Sequence, residues 1–357
     1  MKRIIVSVTN DLVTDQRVSK VCSTLSKLNF EILLIGRELK DSLPYKPTYK
    51  TKRIKLIFNK GVLFYTEFNI RLFLILLFSK KNVLLSNDLD TLLPNYLISK
   101  LNNIPLVFDS HELFSELPSI QGRYSQKVWR FLERKLISKP NSVITVSDSI
   151  SKWFLKKYNI NSIVIKNFPT LKKTQLLENK NNYIIYQGAL NHGRGLIPLL
   201  SSMQNIENTT LKIVGDGPIK SLLENKIKHY QLEKKVQLLG LIPPFELFHL
   251  TQNAALGLSL EEDIGLSYQY ALPNKLFDYI QAQIPVVTTY LPEIKNIVHS
   301  FNVGEVIKDH SPISIENSIK LVLKNGKNHY RSQLDIASKK LIWEKQEEQL
   351  LNIFRKI

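Results

Sequence analysis

The residues best suited to chemistry lie in the stretch Ser267-Tyr-Gln-Tyr-Ala-Leu-Pro-Asn-Lys-Leu-Phe-Asp-Tyr-Ile-Gln-Ala-Gln-Ile-Pro-Val-Val287. Pro273 suits the first helical position, where its missing N–H has no partner to lose. Leu276, Phe277 and Ile280 then fall on one helical face. Lys275 and Asp278, three apart, share another. Residues 284–287 read as a short buried strand. The stretch is thus loop, helix and strand, with a lysine at the open start of the helix. Free N–H groups and the helix dipole favour an anion there. A carboxylate one turn further in can accept hydrogen bonds from the paired hydroxyls of a sugar. A helix end for a diphosphate and an acid for a ribose together point to a nucleotide-sugar site. The plainer reading is one more α/β unit of a parallel sheet, and the other polar clusters decide between the two.

In open α/β sheets ligands bind beyond the carboxyl ends of the strands. Asn87-Asp88, Asp109-Ser-His-Glu112, Gly188, Gly215-Asp-Gly217 and Glu261-Glu262 all follow predicted strands. Each alone reads equally as a turn or a helix cap. Their recurrence in both halves is what two domains facing one cleft would produce. A lone histidine is usually structural, but His111 follows Leu106-Val107-Phe108 and lies among polar residues. There it could hydrogen-bond a sugar hydroxyl or donate to a diphosphate. Arg194 stands between Gly193 and Gly195. Glycines let the backbone approach a ligand, and a guanidinium takes a diphosphate bidentately. Gly215-Asp-Gly-Pro218 reads as a tight turn that shapes a cleft wall. The remaining histidines lack metal-ligand spacing, so no metal site is expected. No Ser/His/Asp or Cys/His constellation emerges either.

The elements that must position these residues alternate along the chain. Strands are expected at 3–9, 31–36, 54–58, 83–86, 105–108, 142–146 and 163–165, with helices between them. The opening strand–helix–strand run predicts a parallel sheet. Its first turn, residues 9–17, carries no glycine fingerprint, which disfavours a dinucleotide site and with it a nicotinamide oxidoreductase. Strands at 183–186, 211–214, 236–239 and 254–260 repeat the alternation, and the chain after Gly304 reads as helical. The expected layout is a first Rossmann-like domain at 1–167, a linker at 168–182, a second domain at 183–335 and a C-terminal helix at 336–357.

The whole chain sets further bounds. Its 357 residues fit two domains of ordinary size, and 43% hydrophobic content can fill two cores. One cysteine, Cys22, allows no intrachain disulfide and fits a reducing, cytoplasmic setting. The first residues do not read as a signal peptide. No stretch reaches the roughly 18 apolar residues of a membrane span. A net charge of +18 suits phosphorylated ligands, nucleic acid or anionic lipid. Nucleic acid is disfavoured, because no binding motif is present and the basic residues are spread. The apolar window 64–78, followed by Lys80 and Lys81, reads either as a buried helix of an α/β domain or as a contact with the inner face of a membrane.

Taken together, these residues resemble retaining GT-B glycosyltransferases of the large family 4 group (glycosyl transferases group 1). Tyr186-Gln-Gly-Ala-Leu with Arg194-Gly195 resembles that family's glycine loop ending in a basic residue and glycine. Ile213-Val-Gly-Asp-Gly-Pro218 resembles its V-G-D-G-P turn, and Leu238-Leu-Gly240 its F-L-G strand end. Residues 277–287 resemble its E-A-M-A-x-G-x-P-V-V block, and Glu262-Asp-Ile-Gly-Leu266 its E-x-F-G-L segment. In the first half, Asp15-Gln-Arg17 and Asp109-Ser-His-Glu-Leu113 look like what related enzymes carry there. The chain departs from the pattern at Tyr270, which stands eight before Asp278 in place of an acid. It departs again at Ala189, where an arginine is common, and at Asp278 itself, one methylene shorter than glutamate.

The resemblance implies a GT-B fold, two Rossmann-like domains facing a cleft with a C-terminal helix crossing back to the first. It implies transfer of a sugar from a nucleotide diphosphate sugar to a saccharide or lipid-linked acceptor, with retention and without a metal or cofactor. Surface polysaccharide or glycoconjugate biosynthesis is the implied setting. His111, Arg194, Lys275 and Glu262 are the implied catalytic residues. Gly188, Arg194, Gly215, Asp216, Asn274, Lys275, Leu276 and Asp278 form the implied donor side, with Asp278 on the ribose. Asp15, Arg17, Asn87, Asp88, His111 and Glu112 form the implied acceptor side. Two rival readings share the fold: a nucleotide-sugar epimerase or hydrolase, and a non-catalytic nucleotide-sugar-binding protein.

Overall fold

The computed structural model describes residues 2–172 and 183–357. It divides into two compact units, Met1–Asn167 with Gln346–Ile357, and Phe168–Lys345. Of the 168–182 stretch read as a linker, residues 173–182 lie outside the described residues.

The first unit holds seven strands: β1 (Arg3–Asp11), β2 (Glu31–Glu38), β3 (Lys50–Lys55), β4 (Val83–Asn87), β5 (Leu106–Ser110), β6 (Ser142–Thr145) and β7 (Ile163–Val164). Their order is β3-β2-β1-β4-β5-β6-β7, and every pairing is parallel. Helices on both faces bury the inner strands completely, which is why Ile4, Ile5 and Val6 run consecutively rather than alternating with polar residues. The order reverses between β1 and β4, the switch point where such sheets bind ligands.

The second unit repeats this plan with β8 (Tyr183–Gln187), β9 (Thr210–Val214), β10 (Val236–Gly240), β11 (Gly257–Ser259), β12 (Val286–Thr288) and β13 (Gly304–Val306). The order β10-β9-β8-β11-β12-β13 is again parallel, with its switch point between β8 and β11. Strand β13 corrects the expectation of helix directly after Gly304. Its three residues pair in register with Val286, Val287 and Thr288, too short a run for periodicity to show.

Three further corrections bear on function. Pro273 sits at the N-cap with extended backbone (ψ 140), and the helix runs Asn274–Gln281, one residue later than expected. Strand β5 continues through Asp109 and Ser110, which pair with Ile144 and Thr145, so this acid lies inside the sheet edge and not in the following loop. The apolar window at 64–78 belongs to a longer helix, Gly61–Phe78, whose 18 residues are long and apolar enough to cross a membrane by length and composition. Of these, only Phe64, Phe68, Leu72 and Leu76 are buried.

The chain passes between the units twice, and each crossing is braced. Within the first unit the Lys166 N–H donates to Gln346 Oε1 (3.0 Å). Within the second, the Trp343 N–H donates to the Pro169 carbonyl (2.8 Å). The last helix, Glu344–Arg355, buries Leu350, Leu351, Ile353 and Phe354. Its Glu347 accepts from the Thr24 hydroxyl and the Lys27 ammonium of the first unit.

Candidate functional site

Each unit gathers a polar cluster at its own switch point. In the second unit, β8 ends at Gln187 and the chain turns through Gly188 with φ at +138°. The Gly188 N–H donates to the Val214 carbonyl (3.0 Å), and the Leu190 N–H to the Asp216 carbonyl (3.0 Å). These bonds press two backbones together: a Cβ on Gly215 would stand 1.9 Å from the Gly188 carbonyl oxygen. The Gly215 turn is therefore a close packing of main chains, and Asp216 spends one oxygen on its neighbour's N–H (Gly217, 2.9 Å).

Glu261 follows β11 and is fully buried. It accepts from the Ser259 hydroxyl (2.7 Å) and faces two cations, Lys275 Nζ at 3.0 Å and Arg194 Nη1 at 3.4 Å. Burial opposes its ionisation, but Lys275 and Arg194 outweigh burial and hold the carboxyl below its ordinary range. Lys275 also lies over the Tyr186 ring, 4.0 Å from its centroid, and Arg194 over the Tyr268 ring at 4.8 Å. The buried Lys275 ammonium is paired with Glu261 Oε1 at 3.0 Å, and one such partner leaves part of its three-donor capacity for another acceptor.

Lys275 stands one residue into the Asn274–Gln281 helix, whose N-terminus has no side-chain cap. The Leu276 N–H is already turned back to the Pro273 carbonyl (3.3 Å), which removes it from the expected anion-binding set. Asn274 is exposed at the helix start. One turn in, Asp278 accepts from Gln187 Nε2 (3.2 Å), and the neighbouring Tyr279 hydroxyl accepts from the Gln187 N–H (3.1 Å). Glu262 is tied to the glycine loop: its Oε1 accepts from the Gly195 N–H (3.1 Å), and its own N–H donates to the Gly193 carbonyl (2.9 Å). It locks the loop that carries Arg194. In the sequence Glu261 stands with Glu262 at a strand end, but the family pattern marks Glu262 alone, and nothing there assigns a role to Gln187, Tyr186 or Tyr279. The one signal for Glu261 was its position directly after an apolar strand.

In the first unit, His111 follows β5 and meets acceptors on both ring edges. Nδ1 lies 3.3 Å from Asp88 Oδ2, while Nε2 lies 3.2 Å from Asn87 Oδ1 and 3.5 Å from Asp109 Oδ2. Its backbone N–H donates to Asp88 Oδ1 (2.8 Å). Burial opposes protonation, but Asp88 and Asp109 overcome it and push the imidazole up to about 9. The two acids thus favour the imidazolium, a donor rather than a base. Asp88 holds φ +56° and ψ 166°, a conformation rare for any residue but glycine. Arg17, 3% exposed, clamps Asp109 through Nη2 (2.7 Å) and Nε (3.0 Å) and donates to the Ile165 carbonyl (2.8 Å). Asp15 caps the Gln16–Ser26 helix at the Val18 N–H (3.0 Å). The structure therefore brings Arg17, Asn87, Asp88 and His111 together around Asp109, with Arg17 as a buried brace. Glu112 adjoins the cluster, and the Ser110 hydroxyl donates to its carbonyl (2.9 Å). Among the described residues no group of three metal-ligating side chains is found.

Two Rossmann-like units with a cluster at each switch point define the GT-B class, and comparison with known proteins agrees. The family of glycosyl transferases group 1 matches residues 167–341, and Glycosyltransferase Family 4 matches residues 16–169. Together the two matches span 16–341, so each half of the chain matches a glycosyltransferase family. A comparison with curated proteins finds no match. Solved structures share the fold. Sucrose-phosphate synthase from Thermosynechococcus elongatus superposes with a TM-score of 0.82 at 14% identity, covering 100% of this chain and 99% of that one. HepE from Anabaena, solved with UDP-glucose, gives 0.76 at 13% identity, covering 100% of both chains. WaaG, a glycosyltransferase involved in lipopolysaccharide biosynthesis, gives 0.72 at 12% identity, covering 97% of this chain and 98% of that one.

Proposed function

We propose that this chain transfers a sugar from a nucleotide diphosphate sugar to a saccharide or lipid-linked acceptor, with retention at the anomeric carbon. The observation that carries the reading is the buried Lys275 ammonium, paired with Glu261 beside a helix start that has no side-chain cap, with donors to spare for a further acceptor. A diphosphate supplies that acceptor. Lys275 takes over the charge that the glycine loop lacks at Ala189, and Arg194 adds the second cation. Asp278 takes the ribose hydroxyls, and Gln187 holds its carboxylate for that purpose.

In this reading the bond from the anomeric carbon to the diphosphate oxygen breaks while the acceptor oxygen bonds to that carbon on the same face. The departing phosphate oxygen takes the acceptor proton. Charge accumulates on the diphosphate, where Lys275, Arg194 and the helix start stabilise it. These cations do the work a metal would otherwise do, so the reading requires neither a metal nor a cofactor. Glu262 acts through the loop that carries Arg194. The first unit takes the acceptor side, with His111 as a fixed donor for a sugar hydroxyl or phosphate oxygen. HepE was solved with UDP-glucose and WaaG is involved in lipopolysaccharide biosynthesis. The first supports a donor of this class, and the second a role in glycoconjugate assembly, which we place on the cytoplasmic side.

Calorimetry with UDP, GDP, ADP and NAD, each repeated on Asp278→Ala, tests the donor site. The expected result is micromolar binding of one sugar-carrier nucleotide, lost in the variant. Binding of NAD alone, or of none, overturns the reading. Tyr270, standing where the family carries an acid, favours a non-catalytic binder as the second reading. Nucleotide binding without transfer to any acceptor would select it, and release of free sugar would select a hydrolase.

A further inference from the structure

Outside the two clusters, the least explained feature is the outer side of the Gly61–Phe78 helix in the first unit. Phe64, Phe68, Leu72 and Leu76 recur every fourth residue and are buried. On the opposite side Val62, Ile70, Leu74 and Phe78 are exposed, Phe78 by 83%, with Thr66 the one polar residue in the row. A surface helix of a soluble domain carries polar residues there. A helix apolar on both sides suits one that rests on its own domain with one side and meets a second apolar medium with the other.

The preceding loop extends the stripe. Ile57 is 75% exposed and Phe58 44%. The loop is held in place, because the Glu67 carboxylate accepts the N–H groups of Ile57 (3.0 Å) and Phe58 (2.9 Å). Glu67 is the only acid in the helix, and Arg71 pairs with it at 2.7 Å. The single negative charge on this side is thereby neutralised while it fixes two more apolar side chains beside the stripe.

The rim is basic. Lys52, Lys55, Lys60 and Lys80 are exposed around the helix. A groove of about 480 Å³ between β3 and the helix is lined by Lys52, Lys55, Arg71 and Leu74, with Glu38 as its one acid. Arg71 is already paired with Glu67, which leaves the Lys52 and Lys55 ammonium groups for a ligand. Apolar side chains ringed by cations complement the surface of an anionic bilayer.

We infer that this face docks on an anionic phospholipid bilayer, with the stripe in the acyl boundary and a headgroup phosphate in the Lys52–Lys55 groove. The helix lies in the interface and does not cross it, since its other side belongs to the first unit's core. The inference stands apart from the sugar-transfer reading, because no residue in it belongs to either cluster.

Sedimentation of the full chain with vesicles tests it. The chain should pellet with phosphatidylcholine vesicles containing one-third phosphatidylglycerol and stay in solution with phosphatidylcholine alone. Ile70→Glu with Leu74→Glu, and separately Lys52→Glu with Lys55→Glu, should each weaken binding by about tenfold or more. Val62→Ser with Phe78→Ser is a milder apolar pair should the first misfold, with thermal unfolding as the check. Equal binding to both vesicle types, unchanged by these variants, overturns the inference. So does release by free glycerol phosphate, which marks a site for a soluble phosphate. A dimer in solution that Leu74→Glu dissociates, without vesicle binding, assigns the face to a second copy instead.

Discussion

Lys275 Nζ rests 3.0 Å from Glu261 Oε1 inside the second unit, and this contact ties the end of β11 to the start of the helix behind it. With Arg194 at 3.4 Å from the same oxygen, two cations share one carboxylate and the cluster carries a net positive charge. The carboxylate fixes the cations before any ligand arrives, the preorganisation that stabilises developing charge most effectively.

Removing the acid should therefore harm more than removing its partner. Glu261→Ala leaves Lys275 buried without a counter-charge and should cost roughly 3–5 kcal/mol in denaturant unfolding. Lys275→Met keeps the volume and should cost less, because the paired acid retains Arg194 and the Ser259 hydroxyl. Lys275→Met should nonetheless abolish nucleotide binding in calorimetry. If it binds as wild type, the ammonium does not serve the diphosphate.

The glycines around the loop rank by what a methyl group would meet. Gly215→Ala brings a Cβ to 1.9 Å from the Gly188 carbonyl and should prevent stable folding of the second unit. Gly188→Ala at φ +138° meets Lys275 Nζ at 3.3 Å, and should lower nucleotide affinity more than it lowers stability. Gly240→Ala, at φ +66° with nothing within 4 Å, should cost only about 1 kcal/mol. Unfolding curves for the three variants check the order.

The His111 pairing has a pH signature. Its folded pKa of about 9 lies above its ordinary 6.5, so the stabilisation is complete below pH 6.5 and is lost as pH rises through 9. Wild type should exceed His111→Asn in stability by up to about 3 kcal/mol more at low pH than at high pH. Denaturant unfolding at both ends of that window measures the difference, and a gap independent of pH would show that the imidazole is not charged.

Much of this organisation is legible in the residues. Consecutive apolar stretches such as Ile4-Ile5-Val6 announce a sheet buried on both faces, and the loop and turn patterns locate both switch points. What escaped reading depends on contacts between distant positions. Glu261 is paired to Arg194, 67 residues earlier, and no spacing rule marks that pair. Glu262, its neighbour, matched a pattern but is engaged with the loop backbone. Arg17 looks like a free cation in sequence, and only the fold shows it sealed against Asp109. For the window 64–78 a buried helix and a membrane contact both stay open in sequence, because composition cannot tell which of two apolar faces is covered.

The double crossing between the units has a consequence for synthesis. Residues 346–357 complete the first unit, yet they leave the ribosome only after the second unit has been made. The buried Leu350 and Phe354, and the Glu347 bonds to Thr24 and Lys27, must wait while the whole of 168–345 is made. The second unit is thus an insertion whose sequence is complete before its host's, and a nascent chain stalled near residue 345 holds a first half that still lacks its closing helix.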